Sequence, residues 1–268
     1  MAMTGAVRRV TDGLLAAMLA PACACCGDVL ESPTASPVCD ACWRRLERFT
    51  PPVCDGCGEP LARQGAHGEC AAGGPIARAR ALGAYEGVLR GLIHAIKYGQ
   101  RRSLGAALAA PLTVAAADVL RDADALVPVP LHAWRSWTRG FNQADDLAQA
   151  LASGRPVLRA LRRTRATRPQ SALDADARRG NVADAIGLAA FTRRGRRRLA
   201  ARIAGRVLLL VDDVTTTGAT LEACAGVLLA AGAREVRAVT LARTLKGSDG
   251  QLPTPNFQLP DASSQVAR

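Results

Sequence analysis

The sequence predicts an α/β protein, a parallel sheet flanked by helices and preceded by a small cysteine-rich module. Three observations predict it. Two short apolar runs, Ala125 to Pro130 and Val207 to Val211, are too short for helices and read as buried parallel strands. Helical spacing follows each of them, at Leu147 and Leu151 and again at Leu221, Ala225, Leu228 and Leu229. Eight of the nine cysteines fall between Cys23 and Cys70, six of them in pairs separated by two residues, with Cys70 at the same spacing from His67. A chain of 268 residues holds one sizeable α/β core and a small accessory module.

The amino terminus carries Arg8 and Arg9 ahead of Leu14 to Leu19, a faint likeness to an export signal. Asp12 interrupts the apolar region, which is also short, so residues 1–22 are expected to form an amphipathic helix. No apolar run reaches membrane-spanning length, and the expected location is the cytoplasm.

Residues 23–75 are expected to bind zinc. Cys23 and Cys26, with Cys39 and Cys42, form one set; Cys54 and Cys57, with His67 and Cys70, form another. The x2 spacing places two thiolates on one tight turn, and two such turns complete a tetrahedral site. A disulfide framework expects a secreted chain and leaves the repeated spacing unexplained. The spacing leaves open whether one or two ions bind, whether the sets interleave, and whether Cys25 substitutes as a ligand.

Gly73, Gly74 and Pro75 mark a boundary, and residues 76–245 are expected to form the α/β domain. Ala79 to Tyr85 can form a strand, and Val88, Leu89, Leu92, Ile93 and Ile96 recur at helical spacing before Lys97. After Ala125 to Pro130, a loop carrying Arg135 and Arg139 can hold a pyrophosphate, because guanidinium groups pair with phosphate oxygens in bidentate fashion. Pro156 to Leu161 reads as a short strand, followed by a polar, basic loop. Arg193 to Arg198 reads as a separate basic cluster, an exposed turn or an anion site.

Asp212 and Asp213 stand where the strand from Val207 is expected to end, and small hydroxyl residues lead on to the next helix. Backbone N–H groups, hydroxyls and the positive end of a helix dipole make an anion site there, and Gly218 permits the bend. Two acids beside a phosphate cradle suit a sugar phosphate. A nucleotide hydrolase would need a lysine-bearing phosphate loop, and the only lysines are Lys97 and Lys246. Glu235 to Leu241 reads as a further strand, and residues 246–268 as a disordered tail.

The run Asp212 to Thr220 resembles the phosphoribosyl-diphosphate (PRPP) loop of type I phosphoribosyltransferases, with Thr215 where many members carry an apolar residue. Val-Pro-Val-Pro-Leu-His at residues 127–132, then Arg-Gly-Phe-Asn-Gln at 139–143, with paired cysteines upstream, look like the ComF family of competence-associated phosphoribosyltransferase-like proteins. The resemblance implies that Asp212 and Asp213 hold ribose hydroxyls and help organise magnesium. It implies that Val214, Thr215, Thr216, Thr217, Gly218, Ala219 and Thr220 bind PRPP, with Lys97 on a phosphate and Arg135 and Arg139 on pyrophosphate. Arg163, Thr164, Gln170, Arg178 and Asn181 would belong to a flap over the sugar.

The formal charge of +12 lies in one segment: Arg155 to Arg206 holds fifteen arginines against Asp174, Asp176 and Asp184, and the rest of the chain is neutral. A confined positive field favours an anionic partner, a polyphosphate or a nucleic acid. The expected function is PRPP binding linked to competence and processing of incoming single-stranded DNA, with structural zinc, magnesium and, by resemblance, a competence helicase partner. The alternatives are a nucleic-acid-binding protein without turnover and a nucleobase salvage enzyme.

Overall fold

The computed structural model describes residues 5–61, 74–98, 101, 103–131, 141–164 and 186–245. It divides into two compact units, one within Met1–Leu46 and the other spanning Glu47–Leu245.

The first unit opens with helix α1 (Gly5–Leu19) and ends with the single turn of α2 (Asp40–Arg44). Asp12, nearly buried, accepts hydrogen bonds from the Thr34 amide (3.0 Å) and hydroxyl (2.7 Å), which ties α1 to the loop between the cysteine pairs. A buried carboxylate needs such donors to offset its lost hydration. Trp43 Nε1 donates to Ser36 Oγ at 2.9 Å and closes the other side of that loop.

Four parallel strands build the sheet of the second unit: β1 (Arg78–Ala84), β2 (Ala125–Pro128), β5 (Val207–Thr215) and β6 (Glu235–Arg243), in the spatial order β1-β6-β5-β2. Helices α3 (Gly87–Tyr98), α4 (Ser103–Ala115), α5 (Ala117–Leu120), α6 (Gln143–Leu151), α7 (Arg193–Ile203) and α8 (Ala219–Ala230) make the connections. Leu208 and Leu210 of β5 are fully buried among Leu158, Ile203, Leu228 and Val236. Asn142 caps α6, its side chain accepting from the Ala144 amide at 3.1 Å and donating to the Val129 carbonyl at 3.1 Å.

Two details differ from expectation. Strand β5 runs on through both acids to Thr215, because β6 pairs alongside it as far as Thr215↔Arg243. Pro156 to Leu161 makes only a single bridge, Leu126↔Val157, since Pro156 and the bend at Leu158–Ala160 stop the ladder. The chain then enters a small antiparallel ribbon, β3 (Leu161–Arg163) with β4 (Ile186–Leu188).

The boundary between the units falls inside the stretch expected to act as one zinc-binding module. Residues 47–61 belong with the sheet because they line the outer edge of β1. Phe49 donates its amide to the Leu82 carbonyl (2.8 Å), Ala79 donates to Asp55 (2.7 Å), and a Cβ at Gly83 would run into the Glu47 carbonyl. An edge strand with unpaired backbone groups is thereby covered.

Candidate functional site

The carboxyl ends of the parallel strands, where open α/β sheets bind ligands, carry the acids. Asp212 Oδ1 accepts from the Asp213 amide at 2.8 Å, and Asp213 Oδ1 accepts from the Val214 amide at 2.7 Å. Burial raises the Asp212 carboxyl to about 8, and the neighbouring Asp213 charge adds to this, against the Asp213 amide and the Lys97 charge. The residue as a whole keeps some surface, but its carboxyl sits among protein atoms. Lys97, in the last turn of α3, places Nζ 2.8 Å from Asp213 Oδ2. Beneath the acids, Cys224 of α8 is fully buried, and burial pushes its thiol up to about 12, with Asp212 adding and Arg163 opposing.

After Thr215, which is buried, the chain turns through exposed Thr216 and Thr217 to Gly218, the cap of α8. Gly218 adopts φ +85°, a left-handed conformation that glycine reaches at little cost. Thr217 Oγ1 accepts from the Ala219 amide at 3.4 Å, and Ala219 and Thr220 begin the helix. Strand, turn and helix start thus present amides, hydroxyls and the positive end of the dipole within one short stretch, an arrangement suited to an anion. Arg163 at the end of β3 donates to the Pro130 carbonyl at 3.2 Å, and Thr164 follows it. Arg135, Arg139, Gln170, Arg178 and Asn181 lie outside the described residues.

The thiols of Cys23, Cys26, Cys39 and Cys42 all lie within 4.8 Å of one another, and Cys26 and Cys39 are 3.7 Å apart. Tetrahedral zinc with Zn–S of about 2.3 Å requires sulfurs about 3.8 Å apart, so the cluster fits a structural zinc. Burial alone would raise Cys23, but the amides of Cys26, Cys39 and Cys25 outweigh it and lower the thiol to about 7. Burial pushes Cys26 up to about 12 and raises Cys42 as well, so a metal must displace their protons to bind. Cys25 stays outside the four-sulfur cluster.

The second turn repeats the first. Cys23 donates to Asp28 and Gly27 donates to Cys23; likewise Cys54 donates to Glu59 and Gly58 donates to Cys54. Gly27 and Gly58 have φ +81° and +77°, and the bridges Ala22↔Val29 and Val53↔Pro60 close the two turns alike. Burial pushes Cys57 up to about 12. The partners expected for this pair, His67 and Cys70, lie outside the described residues.

Sequence reading missed the buried pair of Glu59 and Arg243, whose Nε and Oε1 are 2.9 Å apart. The two lie far apart in the chain, and neither belongs to a motif. It also missed Phe191, which no periodicity marks.

Residues 14–71 match the double zinc ribbon domain, and residues 137–253 match the phosphoribosyl transferase domain. Fold and matches together define a phosphoribosyltransferase-domain protein with a zinc ribbon. The chain is 36% identical over 169 residues to DNA utilization protein YhgH of Escherichia coli O6:H1, covering 60% of this chain and 70% of that one. The K12 strain's protein of the same name matches at 36%, with the same coverage of both chains. Competence protein F of Haemophilus influenzae is 33% identical over 170 residues, covering 60% of this chain and 71% of that one. This chain belongs to the ComF family. Among the described residues, no helix is long and apolar enough to cross a membrane.

Proposed function

We propose that this protein binds PRPP with magnesium at the carboxyl end of β5 and serves the processing of incoming single-stranded DNA. The observation that carries the sugar-phosphate reading is the continuity of the acid pair with the left-handed Gly218 cap of α8. The relatives' names, DNA utilization protein and competence protein, support the link to DNA.

Asp212 and Asp213 would grip the ribose hydroxyls and hold a magnesium ion, which would supply charge neutralisation for the pyrophosphate. Thr216 to Thr220 would hold the 5-phosphate through amides and hydroxyls, and Arg135 and Arg139 would face the pyrophosphate. In a transfer, the bond from C1 to pyrophosphate breaks, a nitrogen nucleophile bonds to C1, and that nitrogen loses a proton. Positive charge develops on the sugar, so positioning and electrostatics supply most of the rate. Lys97 pairs with Asp213 at 2.8 Å and would be close enough to reach a phosphate bound beside the acids.

The test is calorimetric titration of the Asp212→Asn, Asp213→Asn double variant with PRPP and with inorganic phosphate, both in magnesium. PRPP affinity should fall at least about tenfold, consistent with charge-assisted hydrogen bonds of about 1.5–3 kcal/mol each. Phosphate binding should change little. Parent-like PRPP binding by the double variant would sink the reading.

A further inference from the structure

Helix α7 carries more charge than its own stability can explain. Arg193, Arg194, Arg196, Arg197 and Arg198 fill its first two turns, with no acid in the first turn, and Arg202 follows in the last. Cations at a helix amino terminus oppose the dipole, and like charges four apart repel. All six arginines are exposed. Among the described residues, no carboxylate pairs with Arg193, Arg194, Arg197, Arg198 or Arg202. The helix meets the core only through Ile203 and, in part, Leu199. Successive residues rotate by about 100°, so Arg194, Arg198 and Arg202 form one row on the open side and Arg193 with Arg197 a second. Within a row the arginines stand about 6 Å apart along the axis, close to the spacing of successive phosphates along an extended strand.

Beside the start of this helix stands an exposed aromatic ring. Phe191 is 85% exposed, the most exposed of the large apolar side chains among the described residues. Arg162 of β3 lies over it, its guanidinium carbon 4.7 Å from the ring centroid, and is held there by donating to the Leu188 carbonyl at 3.2 Å. Arg196 donates to the Ala190 carbonyl at 3.4 Å and so leans against the same turn. A single exposed apolar ring is ordinary on a protein surface, and this one is set apart by the guanidinium held over it. One so held and exposed, next to rows of unpaired arginines, offers a platform for a flat ring attached to a phosphate chain.

We propose that α7 and the Phe191–Arg162 stack form a docking surface for single-stranded nucleic acid, with the arginine rows on phosphates and Phe191 under a base. This rests on the DNA-handling part of the proposed function and is separate from the sugar-phosphate site. An acidic polypeptide would satisfy the arginines but leave the ring idle, and duplex DNA hides its base faces.

The experiment is fluorescence anisotropy on the full chain with labelled oligo-dT and with an abasic oligomer of the same length, across a salt series. Arg194→Gln/Arg198→Gln/Arg202→Gln keeps helix propensity and should leave the circular dichroism unchanged. Its slope of log K against log salt should shrink by about 2, at about 0.7 per lost phosphate contact. Phe191→Ala should weaken oligo-dT at least about fivefold and leave the abasic oligomer unchanged. A parent-like slope in the triple variant, or equal losses on both oligomers with Phe191→Ala, overturns the surface. Equally tight binding of poly-glutamate by the parent at the same salt overturns the assignment to nucleic acid. PRPP binding, titrated on the same variants, should match the parent; failure of PRPP to bind the parent would sink the sugar-site reading and leave this one standing, whereas loss of PRPP binding in the variants alone would overturn the surface as a separate site.

Discussion

Asp212 shows how one residue's surroundings set both its cost and its use. Its folded pKa, about 8, lies above the ordinary carboxylate value, so between about pH 4 and pH 8 the folded chain holds a proton that the unfolded chain has lost. Stability therefore falls as pH rises through that window. Asp212→Asn removes the dependence, and it should be more stable than the parent at pH 8, by up to a few kcal/mol, while differing little at pH 4. Thermal unfolding of both proteins across this range checks the prediction; parallel curves would mean that the carboxyl titrates normally.

Among the elements, the turn Cys54–Pro60 does more than present thiols. It covers the edge of β1, and its Glu59 reaches Arg243 at the end of β6, with side chains only 5% and 10% exposed. Asp55 adds a pair with Arg80 at 2.7 Å, and Arg80 also meets Asp118. Because Arg243 pairs in register with Thr215, the turn braces the strand next to the one that leads into the Gly218 cap. Breaking a buried pair by removing one partner leaves an uncompensated charge, so Glu59→Gln should cost about 3–5 kcal/mol. Glu59→Leu together with Arg243→Met should recover much of that loss. Denaturant unfolding measures both, and a double variant as unstable as the single one would argue against the ion pair as the cause.

Across the whole molecule, the two compact units depend on different forces. Glu47–Leu245 has a packed parallel sheet, whereas Met1–Leu46 is small for an independent core and gathers four thiols in its place. Metal-binding energy then becomes folding energy for the smaller unit. Cys39→Ser should lower the zinc content by about one ion and open residues within 1–46 to protease, with the fragment from residue 47 onward persisting. Full zinc retention with an unchanged digestion pattern would remove the first cluster from the account.

Much of this was legible in local sequence. The apolar runs of β2 and β5, the helical spacing of α3 and α8 and the x2 cysteine pairs each rest on interactions within a few residues of chain, so spacing alone reports them. The run from Asp212 to Thr220 was legible for the same reason: strand, turn and helix start are consecutive. Tertiary structure decided what depends on distant neighbours. Strand β5 reaches Thr215 only because β6 lies beside it, and Lys97 meets Asp213 only because α3 folds back from the edge strand. The second cysteine turn joins the sheet because β1 has an edge to cover, and Glu59 finds Arg243 across most of the chain. Phe191 was silent in the sequence, since its exposure and its stack on Arg162 follow from a ribbon closed between Leu161 and Leu188. Spacing encodes contacts that the chain makes with itself nearby; burial, pairing and charge compensation between distant segments exist only once the sheet has formed.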